Sequence, residues 1–458
     1  MSAPIRTFLL GLAAVAGCAP HVQTPAAVPV TAARWRDASP DTGAPDTGAP
    51  DTGALVTTWR AFGSPELLEL LARARARNAD LAIATARLVQ ARGQLGLARA
   101  AGRPTLSGAV DAGLGRTGRT GFRADDRTVG LNIAYDVDLF GQARAGKRAA
   151  RARLAASTFD REATMLVVEA EVARAFIEHA GLGARLRLLA QGLTNARELD
   201  RIIGVRVREG AATRVESGLQ RIEVRRIEAE ISRLEEAQAR TRNGLAVLVG
   251  DEAPSFAMPA TRWESLHPPA ISAAQPATLL VRRPDIRAAE ARIAAAAGDV
   301  SEARAAFLPS LRLAMGAVLE TGPLGVALSA ITGLVAPIFD GGRRRGQLDT
   351  ATGVQLETVE QYRRGLLVAL GEAENALAGV AQSARRSALL NESVTVARET
   401  ARLARSQYVE GAADLQVVLD AQRGALDFAE AAVVARQDRL ISAIDLYRAL
   451  GGHPSSAL

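Results

Sequence analysis

The stretch DIRAAEARIAAAAGDVSEARAAFLPSL, residues 285–311, repeats DLAIATARLVQARGQLGLARAAGRPTL, residues 80–106, without a gap. Asp80 matches Asp285, Arg87 matches Arg292, Gly93 matches Gly298 and Pro104 matches Pro309, while Ala98-Arg99-Ala100-Ala101 recurs as Ala303-Arg304-Ala305-Ala306. Two alanine-rich helices can share composition by chance, but not a glycine and a terminating proline in register. Further on, Glu209-Gly210-Ala211-Ala212 recurs as Glu410-Gly411-Ala412-Ala413. The chain therefore reads as two copies of one unit, 59–250 and 284–450, joined by a proline-rich irregular belt and linker at 251–283 and followed by a tail at 451–458.

Within one unit, Ser64 is placed to cap a helix that opens with Pro65 and Glu66 and runs to about Ala101. Pro284 opens the matching helix, and Pro104 and Pro309 close the two. After each closing proline the period of the apolar residues drops from helical to two. Val129, Leu131, Ile133, Tyr135, Val137 and Leu139 alternate in 129–139; Leu311, Leu313, Met315, Ala317 and Leu319 alternate in 311–319; Leu324, Val326, Leu328, Ala330, Thr332 and Leu334 alternate in 324–334. With a weaker, glycine-rich strand at 105–117, that makes two strands per copy. Each has the length of a tilted membrane strand, about ten residues, with one apolar face. Four strands leave two edges that hydrocarbon does not tolerate, so the pattern predicts an oligomer that closes one shared barrel.

Long helical tracts follow: 142–209 and 213–249 in the first copy, 342–409 and 414–450 in the second. Ile231, Leu234, Leu245 and Leu248 fall on one stripe, as do Leu426, Ala429, Val433, Leu440, Ile444 and Tyr447. Alanine at many stripe positions lets such helices approach closely. A helix of about 65 residues rises about 100 Å, far more than a globular domain requires.

The first 18 residues, MSAPIRTFLLGLAAVAGC, show a charge at Arg6, an apolar stretch and small residues before Cys18. That is the layout of a signal peptide, expected over 1–17. Val15-Ala16-Gly17-Cys18 resembles a bacterial lipobox, so Cys18 is the expected lipidation site, and a covalent lipid there is the one cofactor-like group expected. Ala19, where an Asp would suggest inner-membrane retention, favours the outer membrane. Residues 18–58 then form a flexible lipid-anchored linker, with DTGAP-type repeats at 41–54 too small and polar to bury a core.

Of 458 residues, 48% are hydrophobic but 4% aromatic, a mixture dominated by good helix formers. The formal net charge is +7, almost all the basic residues being arginine interleaved with acids, which argues against a nucleic-acid partner. After position 20 no apolar run is long enough for a membrane helix, so any crossing must be β. His21, His179, His267 and His453 are isolated and Cys18 is the only cysteine, so neither a metal site nor an internal disulfide is expected. A GxGxxG match at 113–118 opens no helix and so lacks the context of a dinucleotide site. No nucleophile or acid pair stands out, and the chain is read as not an enzyme.

The segment LLVRRPDIRAAEARIAAAAGDVSEARAAFLPSLRL, residues 279–313, strongly resembles the signature of outer-membrane efflux proteins, the TolC-like family. Trp59 with Phe62, NGLAVLVG at 243–250 and IFDGG at 338–342 match as well, and with the lipobox the likeness is greatest to the lipoprotein branch serving RND-type pumps. The resemblance implies an α+β membrane protein of two tandem structural repeats, each with two transmembrane β-strands and long coiled-coil α-helices, whose homotrimer closes a twelve-stranded β-barrel and a twelve-helix α-barrel. It implies a passive conduit in a tripartite efflux pump, lipid-anchored in the bacterial outer membrane and extending into the periplasm. Its partners would be outer-membrane lipid, a periplasmic membrane-fusion adaptor and an inner-membrane RND-type pump. The adaptor would meet the helix turns at Glu209, Gly210, Ala211, Glu410, Gly411 and Ala412, and the acidic pore constriction would map to Asp420, Glu216 and Asp414. The short turn Glu320 to Pro323 departs from the long external loop common in the family. Two other readings are a type I protein secretion channel and a periplasmic coiled-coil scaffold, the latter having no need of duplicated strands.

Overall fold

The computed structural model describes residues 58–116, 122–269, 282–320 and 325–452. The signal peptide, Cys18, the 41–54 repeat, most of the turn after Glu320, the end of the GxGxxG match and the tail from 453 lie outside the described residues.

The element order is α1 (Pro65–Arg77), α2 (Ala79–Ala100), β1 (Thr105–Arg116), β2 (Phe122–Val137), α3 (Gln142–Arg208), α4 (Arg214–Val249), α5 (Pro284–Ala305), β3 (Ser310–Glu320), β4 (Gly325–Val335), α6 (Arg343–Val409) and α7 (Leu415–Ala449). The two-copy order helix, two strands, long helix and shorter helix is thus present. Among the described residues, no helix is long and apolar enough to cross a membrane. The chain divides into two compact units, one of residues 89–156 and 289–363, the other of 58–88, 157–288 and 364–452, with the boundaries inside α2, α3, α5 and α6.

One expectation needs correction. The first helix does not run unbroken from Pro65 to Ala101, because Asn78 stands in extended geometry between α1 and α2. Its side chain accepts from the Leu81 N–H (3.1 Å) and donates to the Leu248 carbonyl (2.8 Å), so one residue starts α2 and ties this segment to the end of α4. The start of α1 is as expected: the Ser64 hydroxyl accepts from Leu67 N–H, with Pro65 at the first helical position.

In the first unit, the strands form one antiparallel sheet in the order β1-β2-β3-β4, so β1 and β4 each pair along one edge only. Strand β2 begins earlier than the alternation suggested and ends at Val137, because Asp138 turns to accept from the Ala143 (3.1 Å) and Arg144 (3.0 Å) N–H groups at the start of α3. Register puts Leu106 opposite Ile133, Ile133 opposite Met315 and Met315 opposite Ala330, and Leu131 opposite Ala317 and Ala317 opposite Leu328. Directly paired residues share a face, so these residues form one continuous apolar face, and Leu106, Leu131, Met315 and Leu328 on it are all exposed. The other face is mixed: it carries Ser107, Asn132, Gly316 and Ser329, with Asp136 opposite Arg312 at 3.8 Å, and Val318, Ile331 and Val335 among them.

In the second unit, helices pack around a core holding Trp59, Phe62, Leu67, Leu70, Phe176, Ile177, Leu245 and Tyr447. Trp59 stacks on Phe62 (centroids 5.7 Å) and meets Tyr447 edge-on (4.9 Å), so several of the scarce aromatics gather in this core. The belt folds onto the same core through Phe256, Trp263 and Leu266. The predicted stripes face inward, with Leu234, Leu245, Leu440 and Ile444 fully buried.

Candidate functional site at the paired helix turns

Helices α3 and α6 each end on a glycine in the left-handed conformation, Gly210 (φ 75°) and Gly411 (φ 80°), which residues with a Cβ adopt only with strain. The following residue donates to the carbonyl five positions back, Ala211 to Arg206 and Ala412 to Gln407, both at 2.7 Å. The glycines donate to Val207 and Tyr408, which completes the same two-bond helix stop in each copy. Glu209, Gly210, Ala211, Glu410, Gly411 and Ala412 are all exposed, and Ser406 donates to Glu410 (2.9 Å).

The second helix of each pair starts differently. Thr213 caps α4, its hydroxyl accepting from the Glu216 N–H (3.2 Å) while the Glu216 carboxylate accepts from the Thr213 N–H (2.6 Å), a closed capping box. Asp414 occupies the matching position before α7 without a side-chain capping bond. Asp420 lies exposed on the first turns of α7, accepting from Gln416 (2.9 and 3.1 Å) with Arg423 at 4.0 Å. Of the three acids singled out in the sequence, Glu216 is therefore held by its own helix end, while Asp414 and Asp420 are exposed in the single chain.

The sequence reading missed the groups that join the two turns. Leu199 and Ile203 of α3, Ala404 and Tyr408 of α6, and Leu415, Val418 and Leu419 of α7 form one buried cluster. Arg206 donates to the Tyr408 carbonyl (2.8 Å) and lies over the Tyr408 ring, 4.6 Å from its centre. A cation there also meets the negative end of the α6 dipole. Burial pushes the Tyr408 hydroxyl above its ordinary pKa, and the negative charge of Glu216 adds to that shift. Farther along, the buried carboxylate of Glu223 on α4 accepts from Arg226 (2.7 and 3.0 Å) and from Arg423 of α7 (2.8 Å). Gln220 donates to the Ala196 carbonyl at 2.7 Å, fixing α4 on α3. The one available signal was a tyrosine, of four in the chain, three residues before Gly411. Among the described residues, no cluster of His, Cys, Asp and Glu could hold a metal.

The exposed duplicated turns thus stand over a buried cross-brace. The profile of the outer membrane efflux protein family matches residues 70–251 and 276–452. The chain belongs to that family. Among its relatives, the pyoverdine export outer membrane protein OpmQ of Pseudomonas aeruginosa is 33% identical over 412 residues, 86% of each chain. The cation efflux system protein CusC of Escherichia coli is 27% identical, covering 86% of this chain and 88% of its own. The solved outer-membrane channel OprN superposes with a TM-score of 0.83 at 26% identity, over 94% of this chain and 98% of its own. The outer membrane efflux protein family is a family of transport components and not of enzymes, and the TolC-like fold expected from residues 279–313 is the fold found.

Proposed function

We propose that this chain is the outer-membrane channel of a tripartite efflux pump, a passive homotrimeric conduit that takes cargo from a periplasmic adaptor and an inner-membrane RND-type pump. The observation that carries the reading is the four-stranded sheet with one apolar face and two edges paired on one side only. Unpaired backbone groups cost several kcal/mol each in hydrocarbon, so only closed barrels are tolerated there. Barrels begin at about eight strands, and further copies are what one chain lacks. Three copies give twelve strands, and their long helices continue as a tunnel.

The remaining roles follow from the same reading. Cys18 carries lipid, and the two exposed turns meet the adaptor. Asp420, Glu216 and Asp414, brought together from three copies, set an acidic constriction that attracts cations. The relatives are named for pyoverdine export and for cation efflux, so a similar channel serves different cargo and the pump sets specificity.

In unheated outer-membrane extracts the protein should migrate at trimer size and fall to monomer size on boiling. In planar bilayers, Asp420→Ala should lower cation selectivity. A monomer in unheated, detergent-solubilised membranes would sink the channel, and unchanged selectivity would remove Asp420 from the pore.

A further inference from the structure

Nearly all of the chain's excess positive charge collects where strands meet helices. Residues 96–104 and 299–312 lead into β1 and β3, and residues 136–156 and 338–350 lead out of β2 and β4, all within the first unit. Because the strands are antiparallel, these four segments lie at one end of the sheet. Together they hold twelve arginines and lysines against six acids, an excess of six, where the whole chain has an excess of seven. The segments are far apart in sequence, so the charge reads as scattered until the sheet brings them to one level.

Most of the acids are already engaged. Asp136 faces Arg312 (3.8 Å), Asp138 holds Arg144 (3.1 Å), Asp340 holds Arg344 (3.0 Å), Asp349 holds Arg345 (3.3 Å) and Asp299 holds Arg153. Arg99, Arg103, Lys147, Arg148, Arg151 and Arg343 are exposed and have no acidic partner among the described residues. On α3, Arg144, Lys147, Arg148 and Arg151 stand at i, i+3, i+4 and i+7 and so share one face. A Cβ at Gly102, just past α2, would lie 3.6 Å from that of Ala143, and one at Gly298 of α5 would lie 2.8 Å from that of Ala149. These neighbours take other sides of α3 and leave the basic face open. Phe140, Phe307 and Phe339 stand at the same junctions, 37%, 42% and 92% exposed. Exposed rings beside unpaired cations, at the end of an apolar sheet face, have the composition of a membrane interface.

We propose that this collar binds the headgroups of anionic phospholipid in the leaflet next to the periplasm. The inference rests on the outer-membrane channel reading and adds the class of lipid that meets the rim of the barrel. Arg151 lies nine residues into α3, a rise of about 13 Å at ~1.5 Å per residue. Long basic side chains reach back toward the headgroups from that depth, and an anionic surface attracts cations within a Debye length, about 10 Å at 0.1 M salt. Five of the six unpaired cations are arginines, whose planar fork meets a phosphate with two hydrogen bonds. A zwitterionic headgroup carries its own cation beside the phosphate, so the collar favours lipid of net negative charge.

The test places the full-length protein in phosphatidylcholine vesicles with a trace of spin-labelled phosphatidylglycerol or spin-labelled phosphatidylcholine. The parent should immobilise the phosphatidylglycerol label about five-fold more strongly, the worth of one effective cation near an anionic surface, and the ratio should fall as salt rises. Lys147→Gln/Arg148→Gln/Arg151→Gln removes three charges from an exposed face and should bring the ratio close to one with unchanged helical circular dichroism. Arg99→Gln/Arg103→Gln, before β1, should lower it part-way, so the outcome does not hang on α3 alone. No preference in the parent, or parental ratios in both variants, would overturn the collar; with trimers in the unheated lanes the channel reading would stand. Monomers in those lanes would overturn both. A changed ion selectivity in planar bilayers, in a triple variant whose lipid ratio stays parental, would put the stripe on the lumen and overturn the lipid contact.

Discussion

Glu169 and Glu223 are carboxylates inside the helical unit, each held by two donors. Glu169, with its side chain 2% exposed, accepts from the Trp59 indole (3.1 Å) and from Arg75 (2.7 Å). Glu169→Leu leaves the indole N–H and the guanidinium without that acceptor. Stability to denaturant should fall by about 2 kcal/mol, the usual penalty for a buried donor left unmade. Burial alone would push Glu223 above its ordinary pKa, but the hydrogen bonds from Arg226 and Arg423 outweigh it and hold the carboxyl below 4.5. A depressed folded-state value means the unfolded chain takes up the proton first as pH falls. The stabilisation is therefore complete above the ordinary glutamate value of 4.5 and disappears as pH drops through the lower folded value. Glu223→Gln should melt earlier than the parent at neutral pH, and the gap between their thermal midpoints should narrow as the buffer is acidified below 4.5. A gap that stays constant would show that Glu223 is not a source of acid sensitivity.

At the scale of elements, what was legible in the sequence was what is local. The strands declared themselves by alternation, the helix stops by the duplicated glycines, and α1 by Ser64 and Pro65. Asn78 escaped because an asparagine amid alanine and arginine is as compatible with a helix interior as with a break. Its decision is made by the Leu248 carbonyl, 170 residues away. Arg206 and Tyr408 escaped for the same reason, being partners across 202 residues. Glu216 was legible twice over, since Thr213-x-x-Glu216 is also the capping-box pattern, yet the acid was read for its charge alone. The two roles separate experimentally. Glu216→Gln keeps an acceptor for the Thr213 N–H and removes the charge, while Glu216→Ala removes both and should cost about 1 kcal/mol of local helix stability. Amide hydrogen exchange around residues 213–217 should accelerate in the alanine variant and stay near the parent in the glutamine variant. Equal exchange in both would mean the box contributes nothing to the start of α4.

At the scale of the whole molecule, the two sheet faces imply different fates for the same substitution. Leu131 and Asn132 are neighbours on β2, both exposed in the single chain, yet they point to opposite faces because side chains alternate along a strand. Leu131 lies among Gly108 and Ala317, in line with Leu328 on the apolar face; Asn132 lies between Ser107 and Gly316, in line with Ser329 on the mixed one. In water the faces differ little, since an exposed arginine is tolerated on either. If the apolar face meets lipid, an arginine there costs about 2–4 kcal/mol near the bilayer midplane, and three copies multiply the effect around one barrel. Leu131→Arg should therefore reduce the protein recovered from the outer-membrane fraction, measured by immunoblot against total expression, while Asn132→Arg should assemble normally and alter only conductance. Equal recovery of the two variants would mean that the apolar face meets something other than hydrocarbon, because only a low-dielectric neighbour separates two arginines one residue apart.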